Sequence, residues 1–125
     1  MYWANRVAND YLLSLGAQTV LDHEVRPVER NQRILLDLVT YDRERDEIVF
    51  NIVKAHMVED LSVTVTNSMS KEEKRGFKTA IGAWMRRNKW DGGYRVDGID
   101  IYGNEKGYNL HRTVDIRELR RDKAA

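Results

Sequence analysis

The segments Ile34-Leu35-Leu36-Asp37-Leu38-Val39 and Phe50-Asn51-Ile52-Val53-Lys54 decide how this chain is read. Each is a short apolar run bounded by charged residues, the pattern of a strand buried on both faces. Each also carries one charge, Asp37 in the first and Lys54 in the second. A buried charge left alone costs several kcal/mol. Asp37 and Lys54 are therefore expected to lie on neighbouring strands with their charged groups within about 4–6 Å, or against a ligand.

The remaining elements are placed outward from this pair. Between the two runs stands Asp42-Arg43-Glu44-Arg45-Asp46, a fully charged link suited to a solvent-exposed hairpin turn. The strands are expected over 33–41 and 47–56. Upstream, Val7, Ala8, Tyr11, Leu12 and Leu15 recur at helical spacing and Gly16 supplies a stop, which predicts a helix over about 4–15. Gln18–Val25 has a strand-like centre. Downstream, Ser62-Val63-Thr64-Val65-Thr66 has strand character, although its polar flanks also suit a loop.

Ser70 and Glu73 then form a capping box in front of a helix whose apolar stripe is Phe77, Ala80, Ile81, Trp84 and Met85. Two final strands are expected, Tyr94–Tyr102 and Tyr108–Val114, joined by a turn at 103–107. The order helix, three strands, helix, two strands predicts an α/β domain. Its mixed sheet of four to five strands would be flanked by helices on both faces. Residues 1–125 read as one domain, with 116–125 a charged and frayed tail.

Composition narrows the function classes. The 125 residues are 42% hydrophobic and 33% charged, with a net charge of +1. The absence of cysteine excludes disulfides and thiolate chemistry. No apolar stretch reaches the roughly 20 residues a membrane helix needs. The N-terminal stretch lacks the layout of a secretion signal, so the expected location is the cytoplasm. Charge is unevenly spread: residues 21–60 hold ten acids and six bases, and residues 71–95 hold eight bases and three acids. The second helix carries Lys71, Lys74, Arg75, Lys78, Arg86 and Arg87 opposite its apolar stripe. That face could meet phosphates, although a merely solvated surface has the same composition.

These segments, taken in order, resemble the small YraN-type proteins related to Holliday junction resolvases, within the restriction-endonuclease-like fold. Members open with a Glu-bearing helix ending in a Tyr-Leu…Gly pattern, matched by Asn5…Asp10-Tyr11-Leu12-Leu13-Ser14-Leu15-Gly16. A strand reading Gly-Glu-Ile-Asp-Leu-Ile corresponds to Ile34–Val39, and Val-Phe-Val-Glu-Val-Lys corresponds to Val49-Phe50-Asn51-Ile52-Val53-Lys54. A basic helix follows, here Lys71–Arg87, and then Arg-Phe-Asp-Val, here Arg95-Val96-Asp97-Gly98. The likeness spans about residues 4–116. It implies a restriction-endonuclease-like core and a Mg²⁺-dependent nuclease site built from acids and one lysine. At three acidic positions this chain departs, with Asn5, Leu35 and Ile52 standing where the family has glutamate. Asp37 and Lys54 remain as a remnant site. One carboxylate cannot organise Mg²⁺, which prefers a full octahedral oxygen shell, so no metal and no cofactor is expected.

Other residues are weaker candidates. Asp97 and Asp100 could face an active edge, but such acids more often sit on the surface or cap turns. His23, His56 and His111 show no metal-ligand spacing, and His56 alone shares a strand face with Lys54. Trp90 and Tyr94 flank a Gly-Gly turn beside basic residues and could stack on bases, although packing is the commoner use. The expected function is thus that of a catalytically degenerate endonuclease-like protein. It would bind nucleic acid, or a partner that processes it, without cleavage, through Lys74, Arg75, Lys78, Arg86 and Arg87. Two alternatives stand beside it: an active Mg²⁺ nuclease with relocated acidic ligands, and a protein-interaction module or homodimer without nucleic-acid binding.

Overall fold

Alternation along two adjacent strands builds the centre of the sheet, and the charged link between them turns the chain as its composition requires. The computed structural model describes residues 2–26, 35–57 and 69–119. The elements are α1 (Trp3–Ser14), β1 (Gln18–Val25), β2 (Leu36–Asp42), β3 (Glu47–His56), α2 (Lys71–Arg87), β4 (Gly93–Asn104) and β5 (Gly107–Thr113), followed by a 3-10 turn, Arg117–Leu119. The five strands form one sheet in the order β1-β2-β3-β4-β5. All neighbours are antiparallel except β3 and β4, which run parallel and are joined through α2. This is the α/β architecture expected, with a mixed sheet and the order α-β-β-β-α-β-β. The strand character of Ser62–Thr66 falls outside the described residues.

Each helix covers one face. On one side Ala4, Ala8 and Leu12 of α1 pack on Leu38, Ile99 and Ile101. On the other, Ala80, Ile81, Trp84 and Met85 of α2 pack on Leu36, Ile48, Phe50, Ile52 and Val96. Period-two alternation explains the sorting: Ile48, Phe50, Ile52, Lys54 and His56 share the α2 side, and Val49, Asn51, Val53 and Ala55 share the α1 side.

Both ends of α2 are defined by named contacts. The Ser70 hydroxyl accepts the Glu73 backbone N–H at 3.1 Å, as the capping box requires. At the other end Trp90 N–H bonds the Met85 carbonyl and Lys89 N–H bonds that of Arg86. This is a Schellman closure with Lys89 in the left-handed position, φ 53°.

The expected frayed tail needs correction over its first residues. Ile116 N–H bonds the Val96 carbonyl, Ile116 packs on the α2-side core, and Leu119 is fully buried. Two apolar side chains three residues apart, on one side of the 3-10 turn, anchor a segment whose charges suggested solvent.

Candidate functional site

Asp37, on β2, lies where the sheet splits. Pairing between β2 and β3 stops at Leu38 and Asn51. Just beyond it, the Val53 N–H donates to the Asp37 carboxylate at 2.9 Å. Asp37 therefore takes over a ladder position with its side chain. The Asn5 side chain, on the first turn of α1, also hydrogen-bonds this carboxylate. Asn5 additionally donates to Glu24 Oε1 at 3.2 Å. Glu24 accepts the Tyr2 backbone N–H at 2.8 Å and so caps the start of α1, which has no side-chain cap of its own.

The electrostatics of this corner follow from the donors being neutral. Burial pushes the Asp37 carboxyl up to about 6. The Val53 and Asn5 hydrogen bonds oppose that rise, Glu24 adds to it, and Lys54 opposes it only weakly. Glu24 is held low, chiefly by the Tyr2 N–H.

Asp37 and Lys54 are on neighbouring strands, but they do not form an ion pair. Lys54 projects to the α2 side, where its Nζ lies 4.0 Å from Glu73. Asp37 is turned toward α1. No direct pair forms, because the β2–β3 register, if continued, would set Asp37 opposite Ile52 and Lys54 opposite Leu35. Ile52, on the Lys54 side, is 7% exposed within the α2-side core. Asn5 is buried and Leu35 half-buried. Positions 5, 35 and 52 thus hold a bridging amide and two apolar side chains. Among the described residues no three His, Asp or Glu side chains converge as metal ligands. What the corner offers a cation is two carboxylates already engaged by N–H donors, which does not fit Mg²⁺.

Next to Lys54 stands a pair the sequence suggested only faintly. His56 Nε2 lies 2.8 Å from Asp100 Oδ1, and the imidazole stacks on Tyr102 at 4.6 Å. Parallel pairing of β3 with β4 sets Lys54 beside Asp100 and His56 beside Tyr102. The group occupies the carboxyl ends of the two parallel strands.

Sequence reasoning missed a larger polar cluster on the α1 side. Arg95, 2% exposed, donates to Asp97 through Nε at 3.0 Å, and to Asp42 at 2.9 Å and Glu47 at 3.0 Å through Nη1. Asp97, wholly buried, also accepts from Arg112 at 3.0 Å and from the Asp115 N–H at 2.9 Å. The expectation that Asp97 lies on the surface is therefore corrected. The available signal was Arg95-Val96-Asp97, which puts opposite charges on one strand face two residues apart. Burial works against ionisation of Asp42, but the bond and charge of Arg95, together with the backbone N–H groups of Arg45 and Glu44, hold the carboxyl low. These charges are spent on one another and tie β2, β3, β4 and β5 together. They are structural.

The basic residues of α2 divide by position around the helix. Lys71, Arg75, Lys78 and Arg86 fall along one line at helical spacing, continued by Lys89. Arg75, Arg86 and Lys89 are exposed and Lys78 half-buried. Lys74 lies off this line and forms a 2.7 Å ion pair with Glu118, which fastens the 3-10 turn to α2. Arg87 is exposed but stands about 100° round the helix from Arg86. Of the five residues expected to contact nucleic acid, Arg75, Lys78 and Arg86 share a ridge, and Lys71 and Lys89 extend it.

Among the described residues no helix is long and apolar enough to cross a membrane. No family model matches this chain, and no curated protein is similar enough to it to count as a match.

Proposed function

We propose that this protein binds nucleic acid through the α2 ridge and does not cleave it, being a degenerate relative of the restriction-endonuclease-like YraN-type proteins. One observation carries the proposal: Lys71, Arg75, Lys78, Arg86 and Lys89 form a line of cations along the flank of α2 that adjoins its apolar stripe. Such a line suits a phosphate backbone and confers affinity without sequence choice. The non-cleaving part rests on the Asp37 corner. Its carboxylates are held by Asn5, Tyr2 and Val53 N–H groups, and apolar Ile52 occupies the position of the missing ligand.

The test is equilibrium binding to duplex and branched DNA across salt concentrations. Three to five phosphate contacts give a log–log slope of about −3 to −4, a loss of roughly a hundredfold between 50 and 200 mM salt. Neutralising Arg75, Lys78 and Arg86 in turn should each reduce that slope by about one, equally for all sequences. Binding absent at low salt, or indifferent to these substitutions, would refute the proposal and favour a protein-interaction role. Mg²⁺-dependent cleavage that is lost in Asp37→Ala would refute its non-cleaving half.

A further inference from the structure

The two edges of the sheet are built differently. β1 is kinked by a bulge between Val20 and Asp22, and it carries the acids Asp22 and Glu24, the latter in the left-handed region at φ 49°. Bulges and charges of this kind keep an edge strand from pairing with another chain. β5 has neither device. Gly107–Thr113 pairs with β4 in an unbroken register and contains no proline. Its one formal charge is Arg112, which is bonded to Asp97 at 3.0 Å. Gly107, Tyr108, Asn109, His111 and Thr113 are exposed, and no β5 residue belongs to the buried cores that α1 and α2 cover. Leu110 only borders the α1-side core.

We propose that β5 pairs antiparallel with β5 of a second copy of this chain, joining the two sheets into one about a two-fold axis at Leu110. The order of residues along the strand selects that occupant. An axis normal to the sheet keeps each face continuous, so the only registers it allows set some residue opposite itself. Centred on Leu110, the pairing uses the whole strand, with Leu110 against Leu110, Tyr108 against Arg112 and Gly107 against Thr113. Tyr108, Leu110 and Arg112 share the α1 side, opposite Gly103, Ile101 and Ile99 of β4. The Tyr108 ring, 43% exposed, thereby meets the guanidinium of the second copy, and no like charges oppose one another. Centres at Asn109 or His111 shorten the overlap to 107–111 or 109–113, and the second sets imidazole on imidazole and Leu110 against a guanidinium. An extended segment of another protein would use the same backbone groups, but only a second copy brings this self-complementary order. The axis leaves both α2 helices on one face of the joined sheet, and the pairing does not depend on what their ridges bind.

Seven residues a side is far fewer than the roughly 20–30 of a standard interface, so the expected dissociation constant is on the order of 10 µM. Sedimentation equilibrium of the full chain without nucleic acid, at concentrations on either side of that value, should show monomer and dimer exchanging. Tyr108→Lys opposes two cations at both symmetric contacts and should weaken the dimer about tenfold. Tyr108→Glu removes the same ring from the same exposed position but meets Arg112 with an opposite charge, so it should keep or tighten the dimer. The chain has no cysteine, so introduced ones report the register. Leu110→Cys faces itself across the axis and should form an intermolecular disulfide on mild oxidation. His111→Cys, offset along the strand from its own copy, and Thr19→Cys on β1 should not. A chain monomeric at every concentration, equal loss in both Tyr108 variants, or no preference for cross-linking through Leu110→Cys would overturn the proposal and leave the α2 reading standing.

Discussion

Replacing Asp37 by Asn should make the protein more stable at neutral pH. The carboxyl titrates at about 6 rather than the ordinary 3.8, because burial disfavours its charge and its donors are neutral. That rise corresponds to an upper limit of about 3 kcal/mol of strain when Asp37 is ionised. The native state keeps a proton that the unfolded chain gives up between about pH 4 and 6. Stability contributed by this group is therefore full below pH 4, falls as pH rises through that window, and stays low above it. Asparagine retains an oxygen for the Val53 N–H and carries no charge at any pH. Urea denaturation of both proteins from pH 3.5 to 8 measures the effect. Asp42, whose carboxyl is held low, gives the opposite slope in acid, but its contribution cancels in the difference between the two proteins. The curves should coincide near pH 4 and separate by about 1–3 kcal/mol at pH 8, with the variant the more stable. A variant less stable at pH 8, or a difference that does not change between pH 4 and 6.5, would refute the strained-carboxylate account.

Three further substitutions probe other parts of the fold. Arg95→Leu leaves the buried Asp97 with Arg112 as its one cation and unpairs Asp42 and Glu47 from Arg95, so it should cost about 3–5 kcal/mol in urea unfolding; a loss below about 1 kcal/mol would mean the cluster is solvated. Ser70→Ala removes the acceptor for the Glu73 N–H and should cost about 1 kcal/mol, seen as a lower melting temperature with an unchanged urea m-value. Ile52→Glu places a carboxylate in the α2-side core beside Phe50 and Trp84 and should cost several kcal/mol. Mg²⁺ should not restore its melting temperature, and recovery with the ion would show that positions 37 and 52 can still share a metal.

The sequence was most legible where a regular period coincided with a bounding signal. β3 matches its expected limits, and α2 begins at the Ser70–Glu73 box and packs through the stripe that its spacing marked. Both are local features. What escaped were relations set by register. That Asp37 and Lys54 lie on adjacent strands follows from alternating apolar runs, but where the ladder between those strands ends does not. The end of the ladder turns Asp37 toward Asn5 and leaves Lys54 to Glu73. Glu24 went unnoticed because nothing local distinguishes an acid in Asp22-His23-Glu24-Val25. Its importance comes from the β1–β2 pairing, which flanks it with His23–Leu38 and Val25–Leu36 and so sets it opposite Asp37. Lys74 looked equivalent to Arg75, and only the return of the chain at Glu118 separates them.

Two carboxylates of the α1 side, the half-buried Asp37 and the buried Asp97, are treated in opposite ways. Asp97 receives two guanidinium groups and a backbone N–H, so its charge is matched within the sheet. Asp37 receives an amide and a backbone N–H, with another carboxylate bridged to it through Asn5. A lysine two residues beyond Ile52 could have served as its counter-ion, yet that lysine projects to the other face of the sheet. Folding requirements account for Asp97, since any unpaired charge there would cost more than the cluster does. They do not account for Asp37, where an asparagine would satisfy the same ladder position without strain. A residue that costs stability at neutral pH, in a corner where its donors could hold a neutral side chain equally well, is what the proposed degenerate nuclease-like site would leave behind.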